Sequence, residues 1–254
     1  MKRIRLFGID IDALTMSEAV EHLLRWIREP DGICRYVVTP NLDHALLFQA
    51  RADLRTAYAE SGMVIADGMP LVWVSRWLGK PLPERVAGSD LTPALFAAAD
   101  RGPGLKVHLL GGAPGVAERA AKRIHARYGN VRVVGTESPP LGFERDDAVN
   151  QWLVSAIVET KPDVLIVGLG APKQELWIQR HRSALPVPVA LCVGAIIDFM
   201  AEARQRAPLW MHDKGLEWLY RAGTEPRRLG PRYAKNLVAL PRLIAREWWS
   251  SRRI

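Results

Sequence analysis

The segment that most constrains the fold runs from Val164 to Ile178 and reads VLIVGLGAPKQELWI. Its first four residues are apolar and rich in β-branched side chains, which is typical of a strand buried on both faces of a parallel sheet. The glycines of Gly168-Leu169-Gly170 then allow a sharp turn or a close approach to a ligand. Because Pro172 suits the first turn of a helix, the segment predicts a strand, a glycine turn and a helix.

This turn can be interpreted in two ways. A helix N-terminus directs backbone N–H groups and the positive end of its dipole outward, so the turn could bind an anion. The glycine spacing matches neither the G-x-G-x-x-G dinucleotide fingerprint nor a P-loop, which favours an ordinary βα turn. Three polar residues behind the turn make a ligand site a comparable alternative, and they are Lys173, Gln174 and Glu175.

Strand-like and helix-like segments alternate along most of the chain. The capping box Thr15–Glu18, and Asn41 and Asp146 as N-caps, mark helix starts. This alternation predicts an α/β fold, a Rossmann-like parallel sheet with helices on both faces. The expected strands are Arg3–Ile9, Arg35–Val38, Met63–Ala66, Lys106–Leu110, Val131–Val134, Val164–Val167 and Val187–Val193.

Polar residues and glycine turns follow several of these strands. Ligands of parallel α/β sheets bind beyond the carboxyl ends of the strands. The fold should therefore gather these residues on one edge, although they are far apart in sequence, and this convergence is a stronger functional signal than any single motif. They are Thr39, Asn41, Asp67, Gly111-Gly112, Gln174 and Asp198.

Two acidic positions need separate interpretation. Asp67 lies between a buried strand and a glycine, where it could form a turn or cap a helix, or serve as a general base in a cleft; the residues alone leave both open. Asp10-Ile11-Asp12 matches the D-x-D pattern with which many glycosyltransferases hold a divalent metal. A three-letter match is weak, and we expect no metal there.

Other chemistries find little support. The 2 cysteines, Cys34 and Cys192, and the 6 histidines have no metal-ligand spacing, and the cysteine usage suggests a reducing cytoplasm. His44 is expected to be a solvated helix residue. No G-x-S-x-G motif, signal-peptide core or membrane-length apolar segment occurs in the sequence. We expect neither a cofactor nor a metal.

The net charge of +8 is unevenly distributed. Residues 1–203 balance their charges, whereas residues 204–254 hold 12 of the 35 basic residues and only 4 of the 27 acidic ones. Such a block suggests an anionic partner, which could be nucleic acid, a membrane surface or a diphosphate. We expect residues 1–203 to form the Rossmann-like core and residues 204–254 a basic C-terminal appendage.

The last twenty residues, 235–254, mix leucines and basic residues with Trp248 and Trp249. A basic helix with paired tryptophans has the composition of an interfacial membrane anchor. A terminal helix packed on the domain is the alternative, and the preceding basic segment favours the interface.

The chain resembles the WecG/TagA/CpsF glycosyltransferases of bacterial envelope polysaccharides from Leu6 to about Tyr233. Eight motifs in the same order make this resemblance highly specific. They are TPNLDHA (Thr39–Ala45), IADGMP (Ile65–Pro70), RVAGSDL (Arg85–Leu91), LLGGAPG (Leu109–Gly115), GLGAPKQE (Gly168–Glu175), VGAIIDF (Val193–Phe199), RAPLW (Arg206–Trp210) and GLEWLYR…EPRR…RY (Gly215–Tyr233).

The resemblance implies an inverting, metal-independent enzyme with a UDP-sugar donor and an undecaprenyl-diphosphate-linked monosaccharide acceptor. The sugar transferred in the family is N-acetylmannosamine, its uronic acid or glucose. The resemblance also assigns the base to Asp67, with Thr39 and Gln174 beside it. It links Arg85, Arg221 and Arg228 to substrate or diphosphate binding.

Two departures from the family pattern concern the C-terminal part. Ala201-Glu202-Ala203 stands where a glycine often follows the first alanine. Gly230-Pro231 precedes Arg232 where relatives often have bulkier or basic residues, and this difference bears on the direction of the Arg232 side chain.

Together these observations predict a single displacement. Asp67 would take a proton from the acceptor hydroxyl, and arginines and helix N-termini would meet the charge of the departing UDP. The expected substrate contacts are Asn41, Arg85, Gly111, Gly112, Gly168, Gly170, Lys173, Glu175, Arg206, Arg221, Arg228 and Arg232. We expect the enzyme on the inner face of the cytoplasmic membrane, with no nucleic-acid partner and with a homo-oligomer possible.

Two other functions compete with this prediction. A nucleotide-sugar epimerase or dehydrogenase would use a Rossmann sheet, but the dinucleotide fingerprint is missing. A non-enzymatic membrane- or nucleic-acid-binding protein would use the basic segment, but it would leave Asp67 and Gln174 without a role.

Overall fold

The computed structural model describes residues 1–203, 207–208, 211, 217–224 and 226–251. The chain begins with an antiparallel hairpin of β1 (Arg3–Leu6) and β2 (Ile9–Asp12), joined by Phe7 and Gly8. Both turn residues have positive φ angles, 53° and 78°, as the tight two-residue turns of hairpins require. The single strand expected over Arg3–Ile9 was therefore wrong, because the chain reverses at Phe7.

The main sheet has six parallel strands in the order β4-β3-β8-β7-β5-β6. This arrangement confirms the predicted α/β fold. The expected strands over Met63–Ala66 and Val187–Val193 are shorter than predicted. The strands are β3 (Arg35–Val38), β4 (Met63–Val64), β5 (Leu105–Gly111), β6 (Val131–Glu137), β7 (Val164–Gly168) and β8 (Val189–Cys192).

Helices connect the strands and cover the sheet. Thr15 and Glu18 form the expected capping box at the first helix, and Asn41 and Asp146 cap two others with their side-chain oxygens. The helices are α1 (Met16–Arg28), α2 (Leu42–Ala50), α3 (Ala52–Ala59), α4 (Met69–Trp77), α5 (Gly88–Asp100), α6 (Val116–Arg127), α7 (Asp147–Thr160), α8 (Lys173–His181), α9 (Ile196–Met200), α10 (Glu217–Thr224) and α11 (Pro226–Ser251).

The sheet separates two hydrophobic clusters. Leu165 and Val167 of β7 belong to one cluster, and Val164 and Ile166 belong to the other. Because side chains alternate between the faces of a strand, β7 is buried on both sides, as its continuous apolar sequence predicted. The central strands are thereby fixed, and the loops at their carboxyl ends are held in place.

The D-x-D motif has a structural role in the hairpin. Asp12 is buried, and its two carboxylate oxygens accept hydrogen bonds from the Val64 backbone N–H at 2.8 Å and the Arg3 guanidinium at 2.9 Å. Asp10 is exposed, 3.5 Å from Arg5. Asp12 thus fastens the hairpin to β4, and the absence of a metal at this motif stays a prediction.

The C-terminal helix α11 packs on the core with one face. Leu243 is buried in the same cluster as Phe7. The buried Glu247 carboxylate accepts a hydrogen bond from the Phe7 N–H at 2.8 Å. The packed-helix alternative is therefore correct for this face, and membrane contact stays a prediction for the outer face. None of the helices within the described residues is both long and apolar enough to span a bilayer.

Candidate active site

The strand order brings the predicted polar loops to one edge of the sheet. The ends of β4, β3, β8 and β7 are consecutive neighbours. Adjacent strands lie about 4.8 Å apart, so these four ends span about 14 Å. Asp67, Thr39, Gly194 and Gly170 follow these strands in that order, and the edge therefore gathers four loops that are far apart in sequence.

Asp67 and Thr39 lie in adjacent loops. The Asp67 backbone N–H donates to the Pro40 carbonyl at 2.8 Å. The buried Thr39 hydroxyl donates to the Cys192 carbonyl at 3.1 Å. The bond to Pro40 fixes the backbone of the Asp67 loop. Asp67 itself is half-buried, so part of the residue is accessible to solvent.

Asn41 combines a structural role with a position in the site. Its side-chain oxygen accepts from the N–H groups of Asp43 at 3.0 Å and His44 at 3.3 Å, capping α2. A Cβ atom on Gly68 would lie 3.5 Å from the Asn41 Cβ, so Asn41 stands next to the Asp67-Gly68 turn. The Asn41 amide nitrogen is the atom suited to contact a ligand there.

Gln174 joins the loops that follow β7 and β8. It is buried, and its side-chain oxygen accepts from the backbone N–H groups of Gly170 at 3.2 Å and Gly194 at 3.1 Å. Its amide nitrogen donates to Glu175 at 2.8 Å. The Gly170 N–H that was expected to meet a phosphate therefore bonds to Gln174, and Gln174 holds the edge together.

Glu175 lies behind the edge, which differs from its expected contact with substrate. It is fully buried, and one carboxylate oxygen has no hydrogen-bond partner among the described residues. The other oxygen lies 3.9 Å from His44 Nδ1, which is 2.8 Å from the Tyr58 hydroxyl. Burial and the charge of Glu175 raise the pKa of Tyr58 well above its usual value.

The sequence analysis did not predict that the polar side chains of His44 and Gln174 are buried. His44 was expected to be solvated, but it is only 5% exposed. A signal was present in α8, because Gln174 lies three and four residues before the buried Trp177 and Ile178. That spacing places Gln174 on the core-facing side of a helix.

Lys173 points to the rim of the site. Its ammonium lies 2.7 Å from the Glu144 carboxylate, and both side chains are partly exposed. The hydrogen bond from Lys173 lowers the pKa of Glu144. The Lys173 ammonium has three N–H donors and is partly exposed, so it can donate to a further acceptor while it keeps this ion pair.

Two glycines at the edge are required by close backbone packing. A Cβ on Gly111 would lie 2.5 Å from the Gly168 carbonyl oxygen, and one on Gly168 would lie 3.0 Å from the Gly194 carbonyl. Gly112 and Gly170 have positive φ angles of 81° and 77°, and a Cβ on Gly170 would meet no atom within 4 Å. The backbone at Gly170 therefore borders open space.

Arg85 is held near the end of β4. The N–H of the next residue, Val86, donates to the Ala66 carbonyl at 2.9 Å. The Arg85 guanidinium donates to Asp90 at 2.9 Å, and its side chain is 12% exposed. Arg85 and Asp67 are thus the chain neighbours of two residues, Val86 and Ala66, that are joined by a backbone hydrogen bond.

The remaining predicted residues are only partly described. Asp198 lies in α9, and its backbone carbonyl accepts the Ala203 N–H at 2.9 Å. Arg206 lies outside the described residues, as do the side chains of Arg221 in α10 and of Arg228 and Arg232 in α11. Among the described residues, no group of three or more His, Cys, Asp or Glu side chains could hold a metal ion.

Comparison with known proteins agrees with this architecture. Residues 4–254 match the model of the glycosyl transferase WecG/TagA/CpsF family. Among the relatives are N-acetylglucosaminyldiphosphoundecaprenol N-acetyl-beta-D-mannosaminyltransferases of Staphylococcus aureus strains NCTC 8325 and COL. Each is 30% identical over 231 residues, covering 90% of this chain and 87% of the relative. The chain therefore belongs to the WecG/TagA/CpsF family of glycosyltransferases.

Proposed function

We propose that this glycosyltransferase moves N-acetylmannosamine from a UDP donor to an undecaprenyl-diphosphate-linked N-acetylglucosamine. The names of the Staphylococcus aureus relatives support this acceptor and this sugar. The alternative donor sugars are N-acetylmannosaminuronic acid and glucose. The observation that carries the proposal is the half-buried Asp67, whose loop is hydrogen-bonded to the loop of Thr39 at the open edge of the sheet. Family membership favours sugar transfer over an epimerase or a binding protein.

The proposed reaction is one displacement. An acceptor hydroxyl oxygen attacks the anomeric carbon of the donor, and the bond from that carbon to the UDP oxygen breaks. The electron pair of that bond leaves with UDP, and the hydroxyl proton passes to the Asp67 carboxylate. A positioned base of this kind contributes about 100- to 10,000-fold to the rate.

The departing UDP carries a diphosphate whose charge the protein must meet. Arg85 lies near the end of β4, and the sequence of the basic C-terminal segment contains Arg206, Arg221, Arg228 and Arg232. Arginine suits this role because its planar group donates two parallel hydrogen bonds to phosphate oxygens. Backbone N–H groups near Gly112 and at the N-terminus of α8 add partial positive charge.

The acceptor lipid places the enzyme at a membrane surface. We propose peripheral attachment to the inner face of the cytoplasmic membrane through the C-terminal segment, where Lys235, Arg242 and Arg246 are exposed. Each basic residue near an anionic surface contributes about 1 kcal/mol, and salt screens this attraction. Truncation is a poor test, because Leu243 and Glu247 pack on the core.

Charge reversal tests the attachment instead. Lys235→Glu with Arg242→Glu should lower sedimentation with phosphatidylglycerol vesicles at least tenfold, and high salt should weaken the wild-type binding. Arg132→Glu, an exposed position on β6, serves as the matched control. Equal sedimentation of the double variant and the control would contradict attachment through this segment.

The donor and acceptor are tested by a transfer assay. The full chain is incubated with undecaprenyl-diphosphate-linked N-acetylglucosamine and, separately, with UDP-linked N-acetylmannosamine, N-acetylmannosaminuronic acid, glucose or N-acetylglucosamine. Formation of the disaccharide lipid by mass spectrometry should be fastest with N-acetylmannosamine. No transfer from any UDP-sugar would contradict the proposed function.

A further inference from the structure

An apolar groove lies between α4 and α11. Trp77, the last residue of α4, forms one wall, and Leu240, Ile244, Trp248 and Trp249 of α11 are on the other. Its volume is about 540 Å³, which falls within the range of about 300–1,000 Å³ that is usual for small-molecule sites.

The groove is exposed on a fixed support. Trp77 is 64% exposed and Trp249 is 63% exposed. Large apolar side chains gathered on a surface usually mark a binding site. On the neighbouring face of α11, Leu243 is buried in the core and Glu247 bonds to the hairpin turn, and Leu240 and Ile244 of the groove also pack against this core cluster. Packing on the core therefore fixes the α11 wall of the groove.

The position of α4 connects this groove to the candidate base. The helix begins one residue after the Asp67-Gly68 turn and ends at Trp77. Its nine residues span about 14 Å at 1.5 Å per residue. A ligand with its reacting hydroxyl at Asp67 and an apolar chain beyond a diphosphate could follow the direction of α4 into the groove.

The charges near the groove suit such an amphiphile. Arg76 precedes Trp77 in α4, and Arg242 and Arg246 are sequence neighbours of the α11 residues that line the groove; all three are exposed beside it and do not form its walls. Guanidinium groups bind phosphate oxygens, while the indole rings offer apolar surface. A concave groove also encloses one hydrocarbon chain better than it fits a flat bilayer surface.

We propose that the groove between α4 and α11 binds the first isoprene units of the acceptor's polyprenyl chain and so directs its sugar towards Asp67. This inference rests on the proposed function for the identity of the acceptor. It assigns a substrate-binding role to Trp77 of α4 as well as to the groove residues of α11.

The first test compares two acceptors with the same diphospho-sugar, one on an undecaprenyl chain and one on a short water-soluble alkyl chain. Trp77→Ala should lower the ratio of kcat/KM for the long over the short acceptor about tenfold to a hundredfold, because burial of a large apolar side chain is lost. Trp152→Ala is the matched control, since Trp152 is 53% exposed on α7, away from the groove. Both residues are exposed, so neither substitution should prevent folding.

The second test measures binding without turnover. Calorimetry should show that the wild type and Trp152→Ala bind farnesyl diphosphate at least tenfold more tightly than inorganic diphosphate. Trp77→Ala and Trp249→Ala should lose this preference. Equal affinity of the wild type for both diphosphates, or an unchanged preference in Trp77→Ala, would overturn the proposal.

Two further outcomes separate the possible causes of failure. If Trp77→Ala reduces sedimentation with acceptor-free phosphatidylglycerol vesicles but keeps the farnesyl preference, the groove contacts the bilayer and the proposal is wrong. If no UDP-sugar is transferred to either acceptor while the farnesyl preference depends on Trp77, the groove is supported and the proposed function fails.

Discussion

The two halves of the sheet edge, the loops after β7 and β8 and the loop after β4, hold their polar residues by different kinds of hydrogen bond. After β7 and β8, the Gln174 side chain accepts from the Gly170 and Gly194 N–H groups and donates to Glu175. After β4, the Asp67 loop is fixed through its backbone bond to Pro40, and the residue remains half-buried at the open edge. One half is organised to hold the loops, and the other carries a half-buried carboxylate at the edge.

This difference shows that neighbouring polar residues at a strand end can have unlike functions. Gln174 and Asp67 both follow buried strands, and both stood in the same candidate catalytic set. The hydrogen-bond partners of Gln174 favour a positioning role, in which it sets the separation of the β7 and β8 loops. Variants that separate a loss of stability from a loss of activity distinguish the two roles.

The largest expected effect is on the rate of Asp67→Asn. This change keeps the shape of the side chain but removes its ability to accept the proton, so kcat should fall about 100- to 10,000-fold. The thermal midpoint should stay near that of the wild type. Near-full turnover in steady-state transfer assays would show that Asp67 is not the base.

Gln174→Met should reduce stability as well as activity. The change leaves the N–H groups of Gly170 and Gly194 and one Glu175 oxygen without their partner, and each buried unpaired group costs about 1–3 kcal/mol. Because the two glycine N–H groups are only partly buried and can reach water, the unfolding free energy from urea titration should fall by about 1–3 kcal/mol. Wild-type stability combined with lost turnover would instead favour direct catalysis by Gln174.

The two aspartates of the D-x-D motif should differ in how much they contribute to stability. Asp12→Ala removes a buried acceptor for Val64 and Arg3 and should cost about 2–3 kcal/mol of unfolding free energy, whereas Asp10→Ala should have almost no effect. EDTA should leave the transfer rate unchanged. Loss of activity in EDTA with recovery in Mg²⁺ or Mn²⁺ would restore Asp10 and Asp12 as candidate ligands.

The smallest effect concerns His108 of β5, the strand that pairs with β7. Burial lowers the pKa of His108 from 6.5 to about 4, so the unfolded chain binds a proton there before the folded one does. Stability should fall as the pH drops from about 6.5 to about 4, by about 2 kcal/mol between pH 7.5 and 5. His108→Gln should remove this part of the pH dependence, and an unchanged slope in urea titrations would contradict it.

The sequence was sufficient for the sheet because its signals were local. The apolar run of β7 and the caps Thr15, Asn41 and Asp146 depend on residues within a few positions, and they predicted the corresponding elements correctly. The hairpin was missed because Phe7 adopts a positive φ angle that is uncommon for a residue other than glycine.

The remaining errors came from contacts between distant parts of the chain. His44 is buried because Tyr58 and Glu175 surround it, and Gln174 bonds to a loop twenty residues later. The inner face of α11 is set by Phe7, 240 residues before Glu247. Periodicity alone does not identify such partners, although the residues after parallel strands did indicate which edge to inspect.

The most direct test of the proposed displacement is the anomeric configuration of the product. Wild-type enzyme is supplied with an α-linked UDP-N-acetylmannosamine and the lipid-linked N-acetylglucosamine, and the new linkage is assigned by NMR. Direct attack by the hydroxyl that Asp67 deprotonates predicts a β linkage alone. An α linkage would require a second displacement or a different mechanism and would contradict the account.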